Sequence, residues 1–166
     1  MRAGIALGSN LGDRLANLAA ARAQLSDLPK VELPLFASAV YETDPVDCEA
    51  SAGKFLNAVM EIGYSGEATE LLRALRGIEV ARDRPSSNAR NTSRTLDLDL
   101  LYFGGLALST PELELPHPRM HARRFVLQPL AEIRPDLILP GQPESVAALL
   151  GRLSDRSPLV LVASEW

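Results

Sequence analysis

The segment Arg94-Thr95-Leu96-Asp97-Leu98-Asp99-Leu100-Leu101 constrains this chain more than any other stretch. Leucines alternate with polar residues, the period of a strand with one face in a core. In such a strand Asp97 and Asp99 point one way, while Leu96, Leu98 and Leu100 point the other. Strands disfavour aspartate, and like charges about 6–7 Å apart by strand rise repel unless something positive lies between them. A hard divalent cation supplies that charge; magnesium takes one or two carboxylates and completes its shell with water and phosphate oxygens. A half-exposed strand with an acidic outer face fits the spacing as well, and spacing alone leaves both readings open.

Around this strand the pattern predicts a mixed fold. Ile5-Ala6-Leu7 is a short buried strand ended by the turn Gly8-Ser9-Asn10-Leu11-Gly12, where Ser9, Asn10 or Asp13 can cap a helix. Leu15, Leu18, Ala19, Arg22 and Leu25 then recur at helical spacing until Pro29. Residues 31–41 are extended with a break around Pro34, and Thr43-Asp44-Pro45-Val46-Asp47 is a loop. Residues 55–62 form a strand with Phe55, Asn57, Val59 and Glu61 on one face. A helix over 67–81 buries Leu71, Leu72, Leu75 and Ile78. Residues 82–93 and 112–124 are long loops around the strand 96–103. Helices over 125–132 and 144–153 and a strand over 159–163 follow. The order βαββαβ predicts an α+β fold, a ferredoxin-like core with an antiparallel sheet, helices packed on it and extra C-terminal elements. With 166 residues, no internal repeat and no dividing linker, one domain spanning 1–166 is expected.

Charge narrows the function. A net charge of −4 argues against a general nucleic-acid binder. Yet Arg73, Arg76, Arg82, Arg84, Arg90 and Arg94 crowd one stretch and Arg119, Arg123 and Arg124 another, which suggests a local anion site. Solvated helix and loop faces are the plainer alternative. A polyphosphate on metals at Asp97 and Asp99 would present oxygens to Arg84, Arg90 and Arg94, and phosphoryl transfer needs mainly positioning and charge neutralisation. The Gly8–Gly12 turn lacks the Gly-Lys-Ser/Thr ending of a Walker A loop, so an ordinary P-loop site is excluded. His117, between Pro116 and Pro118, can donate from a neutral imidazole. Phe55 and Phe125 can stack on a flat ring or sit in the core, and the Asn57 amide offers the donor and acceptor that a heterocycle edge requires. The single cysteine, Cys48, forms no internal disulfide, and with two histidines it leaves little room for zinc. No apolar run approaches the roughly 20 residues of a membrane span. The N-terminus turns polar at Ser9-Asn10, unlike a signal peptide. A cytoplasmic location and a monomer are expected.

Together these pieces resemble the 6-hydroxymethyl-7,8-dihydropterin pyrophosphokinases of folate biosynthesis. The matching residues are the Gly8–Gly12 turn, Tyr41-Glu42-Thr43-Asp44-Pro45-Val46, Phe55-Leu56-Asn57-Ala58, Ile78-Glu79 with Arg84, Arg94 to Asp99, Leu115-Pro116-His117-Pro118 with Met120, and Arg123-Arg124-Phe125 leading to Pro129-Leu130. The resemblance implies transfer of pyrophosphate from ATP to a hydroxymethyl dihydropterin, releasing AMP. It implies that Asp97 and Asp99 hold two Mg2+ ions, and that Arg84 and Arg94 contact the ATP phosphates and aid the transfer. Glu79, His117 and Arg123 would hold the nucleotide. Phe55 and Phe125 would sandwich the pterin, Asn57 would read its edge, and main-chain groups near Thr43 and Val46 would complete it. Substrates would bind ATP first and pterin second under closing loops, with no fused pathway enzyme. Relatives commonly carry Trp-Gly-Pro or Trp-Gly-Ala before the signature arginine; Asn91-Thr92-Ser93 stands here, which implies slower or differently gated closure. A metal-dependent phosphodiesterase or nuclease and a non-catalytic nucleotide-binding module share the aspartate pair. Both predict no AMP formed on adding pterin.

Overall fold

Strand β1 (Arg2–Ser9) alternates large and small side chains, and that alternation organises the molecule. Ala3, Ile5 and Leu7 are buried on one face, whereas Gly4, Ala6 and Gly8 leave the other nearly bare. The computed structural model describes residues 1–45, 53–82 and 93–166. Val46, Cys48, Arg84, Arg90, Asn91 and Thr92 lie outside the described residues.

After β1, helix α1 (Arg14–Ser26) is capped by Asp13, whose Oδ1 accepts from Ala16 N at 3.1 Å. Strands β2 (Val31–Ala37), β3 (Val40–Thr43) and β4 (Phe55–Tyr64) precede helix α2 (Ala68–Val80), which starts with a capping box between Glu67 and Glu70. Strand β5 (Asp97–Phe103), the short pair β6 (Leu108–Ser109) and β7 (Glu114–Leu115), helices α3 (Arg124–Ile133) and α4 (Val146–Arg152), and strand β8 (Val160–Ala163) complete the described chain. The expected loop over 112–124 therefore holds one strand of a hairpin and a 3-10 turn at Met120–Ala122. The break expected around Pro34 is a break in pairing with β4 rather than the end of a strand. β2 runs through Pro34 with an irregular register between Glu32 and Phe36, and the chain leaves the strand only at Ser38-Ala39.

The main sheet has the order β5-β1-β4-β3-β8, with β2 also paired to β4, and every pairing is antiparallel. Helices cover both faces. Leu18, Ala21 and Leu25 of α1 and Leu71, Leu75 and Ile78 of α2 pack on Ile5, Leu7, Met60 and Leu98. Val126, Leu127 and Leu130 of α3 and Val146 of α4 pack on Val59, Leu101 and Tyr102. A bulge makes this second core possible. Gly4 pairs with Tyr102 and Ile5 with Leu100, so Leu101 is extra, and both Leu101 and Tyr102 reach the α3 side. The Tyr102 ring fills the space at Gly4, where a Cβ would stand 2.1 Å from its Cε1. No helix among the described residues is long and apolar enough to cross a membrane.

Candidate active site

On the α3 face, β1 lies between β4 and β5, and its small residues bring their side chains together in rows. One row reads Asn57–Gly8–Asp97, the next Val59–Ala6–Asp99, the third Glu61–Gly4–Tyr102. A Cβ at Gly8 would lie 3.3 Å from Asn57 Oδ1 and 3.9 Å from both the Asp97 Cβ and Phe55 Cδ1. Glycine thus keeps the floor of this row at backbone level, and Phe55, Asn57 and Asp97 converge over it. Asn57 is buried and held by its donation to Thr43 Oγ1 at 2.7 Å, which leaves Oδ1 as an acceptor over the floor.

On the Asp97 side of the floor, Glu79, Arg94, Asp97, Asp99 and His117 line a cleft of ≈ 320 Å³. Its walls include Leu72 and Arg76 of α2 and Glu112, Leu113 and Glu114 beside β7, and Arg76 pairs with Glu112 at 3.6 Å. Glu79 is 2% exposed, and it accepts the Leu98 N–H at 2.9 Å, between the two aspartates in sequence. Arg94 forms an ion pair with Asp97. Burial and the neighbouring Asp97 charge push the Asp99 carboxyl above the usual range; His117, Arg123 and Arg94 offset this only in part. Among the described residues, no group of three or more His, Cys, Asp or Glu side chains is placed to hold a metal ion.

The histidine reading gains a tautomer. His117 Nδ1 accepts the Arg119 N–H at 3.2 Å, while the His117 backbone N–H donates to Leu101 O at 2.7 Å. The proton of a neutral imidazole therefore sits on Nε2. Burial lowers the His117 pKa, with Arg123 and Arg119 adding to the effect against the pull of Asp99. A neutral Nε2–H donor results.

The expected residues fall into two neighbouring groups. Glu79, Arg94, Asp97, Asp99 and His117 share the cleft. Phe55, Asn57 and Thr43 lie across Gly8 from it, and Phe125 sits on α3 above the same face with the Arg123 guanidinium 5.4 Å from its ring centroid. Arg84 and Val46 lie outside the described residues. Sequence reasoning missed Leu72 and Glu112 as cleft walls, because they look like ordinary core and surface positions; Arg76 came in only as a member of the crowded arginine stretch. It also missed the work of Ser9 and Asn10, whose side chains reach the segment leading into β5.

A family model for 7,8-dihydro-6-hydroxymethylpterin-pyrophosphokinase (HPPK) matches residues 4–135. A Pseudomonas aeruginosa protein named 2-amino-4-hydroxy-6-hydroxymethyldihydropteridine pyrophosphokinase is 40% identical over 147 residues, covering 87% of this chain and 89% of its own length. A Bacillus subtilis protein of the same name is 46% identical over 129 residues, with coverages of 78% and 75%. Among solved structures, an HPPK-DHPS in complex with substrates superposes with a TM-score of 0.73 at 12% identity, over 90% of this chain. A Plasmodium falciparum HPPK-DHPS with pteroate gives 0.71 at 13% identity, over 91%. These two likenesses concern the fold, and this chain spans 42% of the length of each of those chains.

Proposed function

This chain belongs to the 7,8-dihydro-6-hydroxymethylpterin-pyrophosphokinase family, and we propose that the cleft and the aromatic group beside it are the two halves of its active site. It is a diphosphotransferase of folate biosynthesis, moving pyrophosphate from ATP to 6-hydroxymethyl-7,8-dihydropterin. The observation that carries the site assignment is the row Asn57–Gly8–Asp97, which sets a heterocycle reader and a phosphate-side carboxylate on either side of one glycine.

In this reading the pterin lies between Phe55 and Phe125, its edge read by Asn57 and by main-chain groups near Thr43 and Val46. ATP occupies the cleft, held by Glu79, His117 and Arg123, with Arg84 and Arg94 on its phosphates. The hydroxymethyl oxygen attacks the β-phosphorus in line. Its bond to phosphorus forms as the bond to the α,β-bridging oxygen breaks; AMP leaves with that oxygen and the hydroxyl proton is released. Arg94, beside Asp97, offsets charge developing on the transferred group, and His117 Nε2–H donates to a phosphate oxygen.

Asp97 and Asp99 would hold two magnesium ions, whose charge neutralises the phosphate oxygens when bound. The residues suit them: two carboxylates on one face, one of them held above its usual pKa by burial and by its neighbour's charge, match the few protein ligands magnesium takes beside substrate oxygens. We read the strand order as the ferredoxin-like pattern, with β2 and β3 sharing the place of its second strand. One domain, a monomer and a cytoplasmic location complete the proposal.

The test is AMP release from Mg·ATP by the purified protein, with and without the hydroxymethyl dihydropterin. AMP formed only with the pterin supports the reading. AMP or other hydrolysis products formed without it would favour a phosphodiesterase, and no AMP from folded protein would favour a nucleotide-binding module.

A further inference from the structure

The ladder between β1 and β5 ends at the pair Gly8–Asp97. Beyond it, the three residues before β5's first ladder position need other partners, and Arg94 is among them. Ser9, which ends β1, and Asn10, just beyond it, supply partners for Arg94 and Thr95. Asn10 Oδ1 accepts the Arg94 N–H at 2.6 Å, and Asn10 N–H donates to Arg94 O at 3.1 Å. Asn10 thus holds both backbone polar groups of one residue. Its Nδ2 donates to Ser93 Oγ at 3.2 Å and, more weakly, to Gly53 O at 3.5 Å, two residues ahead of Phe55. Ser9 Oγ donates to Thr95 O at 2.6 Å and is itself held by Asn17 Nδ2 at 3.3 Å.

Helix capping does not explain Asn10, because Asp13 caps α1. Asn10 is 7% exposed and its amide is used at both ends. The pattern uses an acceptor and a donor on one short side chain; asparagine carries them on separate atoms, whereas an ionised aspartate only accepts. We propose that Asn10 is a positioning residue for Arg94: by gripping the arginine's backbone it sets where the guanidinium stands beside Asp97, and so acts on the transfer step through Arg94. The inference rests on the role given to Arg94 above.

The test is a double-mutant cycle of Asn10→Ala and Arg94→Ala. Its readouts are kcat for AMP formation, affinity for a non-hydrolysable α,β-methylene ATP, and thermal unfolding. Misplacing a catalytic group by about 1 Å costs up to about a hundredfold in rate, so Asn10→Ala is expected to lower kcat by about tenfold to a hundredfold. Residues acting through one another are non-additive, so in the Arg94→Ala background the same change should cost less than about twofold. Asn10→Asp keeps the acceptor for Arg94 N–H and should hold kcat within about fivefold of the parent, a variant that serves if Asn10→Ala does not fold. Undiminished kcat in Asn10→Ala, or losses that multiply in the double variant, overturns the inference. If Arg94→Ala turns over normally, the role of Arg94 fails and the inference with it. If the parent protein forms no AMP, the functional reading itself is at fault.

Discussion

Two carboxylates, Glu61 and Asp99, sit on the same face of the same sheet, in adjacent rows on either side of β1, and they live in opposite electrostatic conditions. Glu61 is fully buried, yet Arg134 reaches its Oε2 at 2.5 Å, the Tyr102 hydroxyl donates to the same oxygen at 2.5 Å, and Arg2 pairs with Oε1 at 2.8 Å. Burial alone would raise its pKa; the hydrogen bonds from Tyr102, Arg134 and Arg2 outweigh it and leave the carboxyl below its ordinary value. Asp99 is raised by burial and by Asp97, and the cations around it do not restore it. The first site is closed upon itself and binds four elements together. The second, among the described residues, has cations that offset its burial only in part, and it lines a cleft, the condition of a carboxylate that waits for a ligand.

Removing a member of each site should separate the two kinds of loss. Asp97→Ala should lower turnover by more than about a thousandfold, a transition-state loss of about 4 kcal/mol, while the protein stays folded by circular dichroism. Retained activity would put the metal and phosphate site elsewhere. Glu61→Ala should do the reverse. Leaving two arginines and a hydroxyl without their acceptor is expected to cost about 3–5 kcal/mol of stability by urea unfolding, with the ATP and pterin affinities of the folded fraction unchanged. Phe125→Ala should weaken pterin binding by about tenfold through lost stacking and burial in a calorimetric titration, with ATP affinity nearly unmoved. Equal losses for both ligands would erase the division between cleft and aromatic group.

The smallest effect is on acid stability. The folded pKa of Glu61 lies below its unfolded value near 4.3. Its contribution is therefore complete above that pH and is lost as pH falls through it toward the folded value. Between pH 7 and pH 4, Glu61→Gln should lose less unfolding free energy than the parent; an equal or larger loss would mean that Glu61 is not held low.

The sequence made the strands and helices legible wherever apolar period and caps agree, as at Leu71, Leu75 and Ile78 of α2. The aspartate pair stood out because strands resist such residues. Glu61 did not stand out, since its partners Arg2, Tyr102 and Arg134 come from distant parts of the chain and share no spacing. The bulge at Leu101 was illegible for a related reason: it follows from how Tyr102 fills the space over Gly4, a fit made by pairing and not by local propensity. Asn10 was visible only as part of a turn and as a candidate helix cap, because an amide that grips a backbone 84 positions away leaves no local mark.

The most direct measurement is thermal unfolding of the parent and of Asp99→Asn, each with and without Mg2+ and the α,β-methylene ATP analogue. If Asp99 is a strained carboxylate held for a ligand, Asp99→Asn should melt several degrees higher than the parent without ligand and lose most of the shift that magnesium and nucleotide give the parent. A variant that melts lower without ligand, and keeps the parent's ligand-induced shift, would contradict the account.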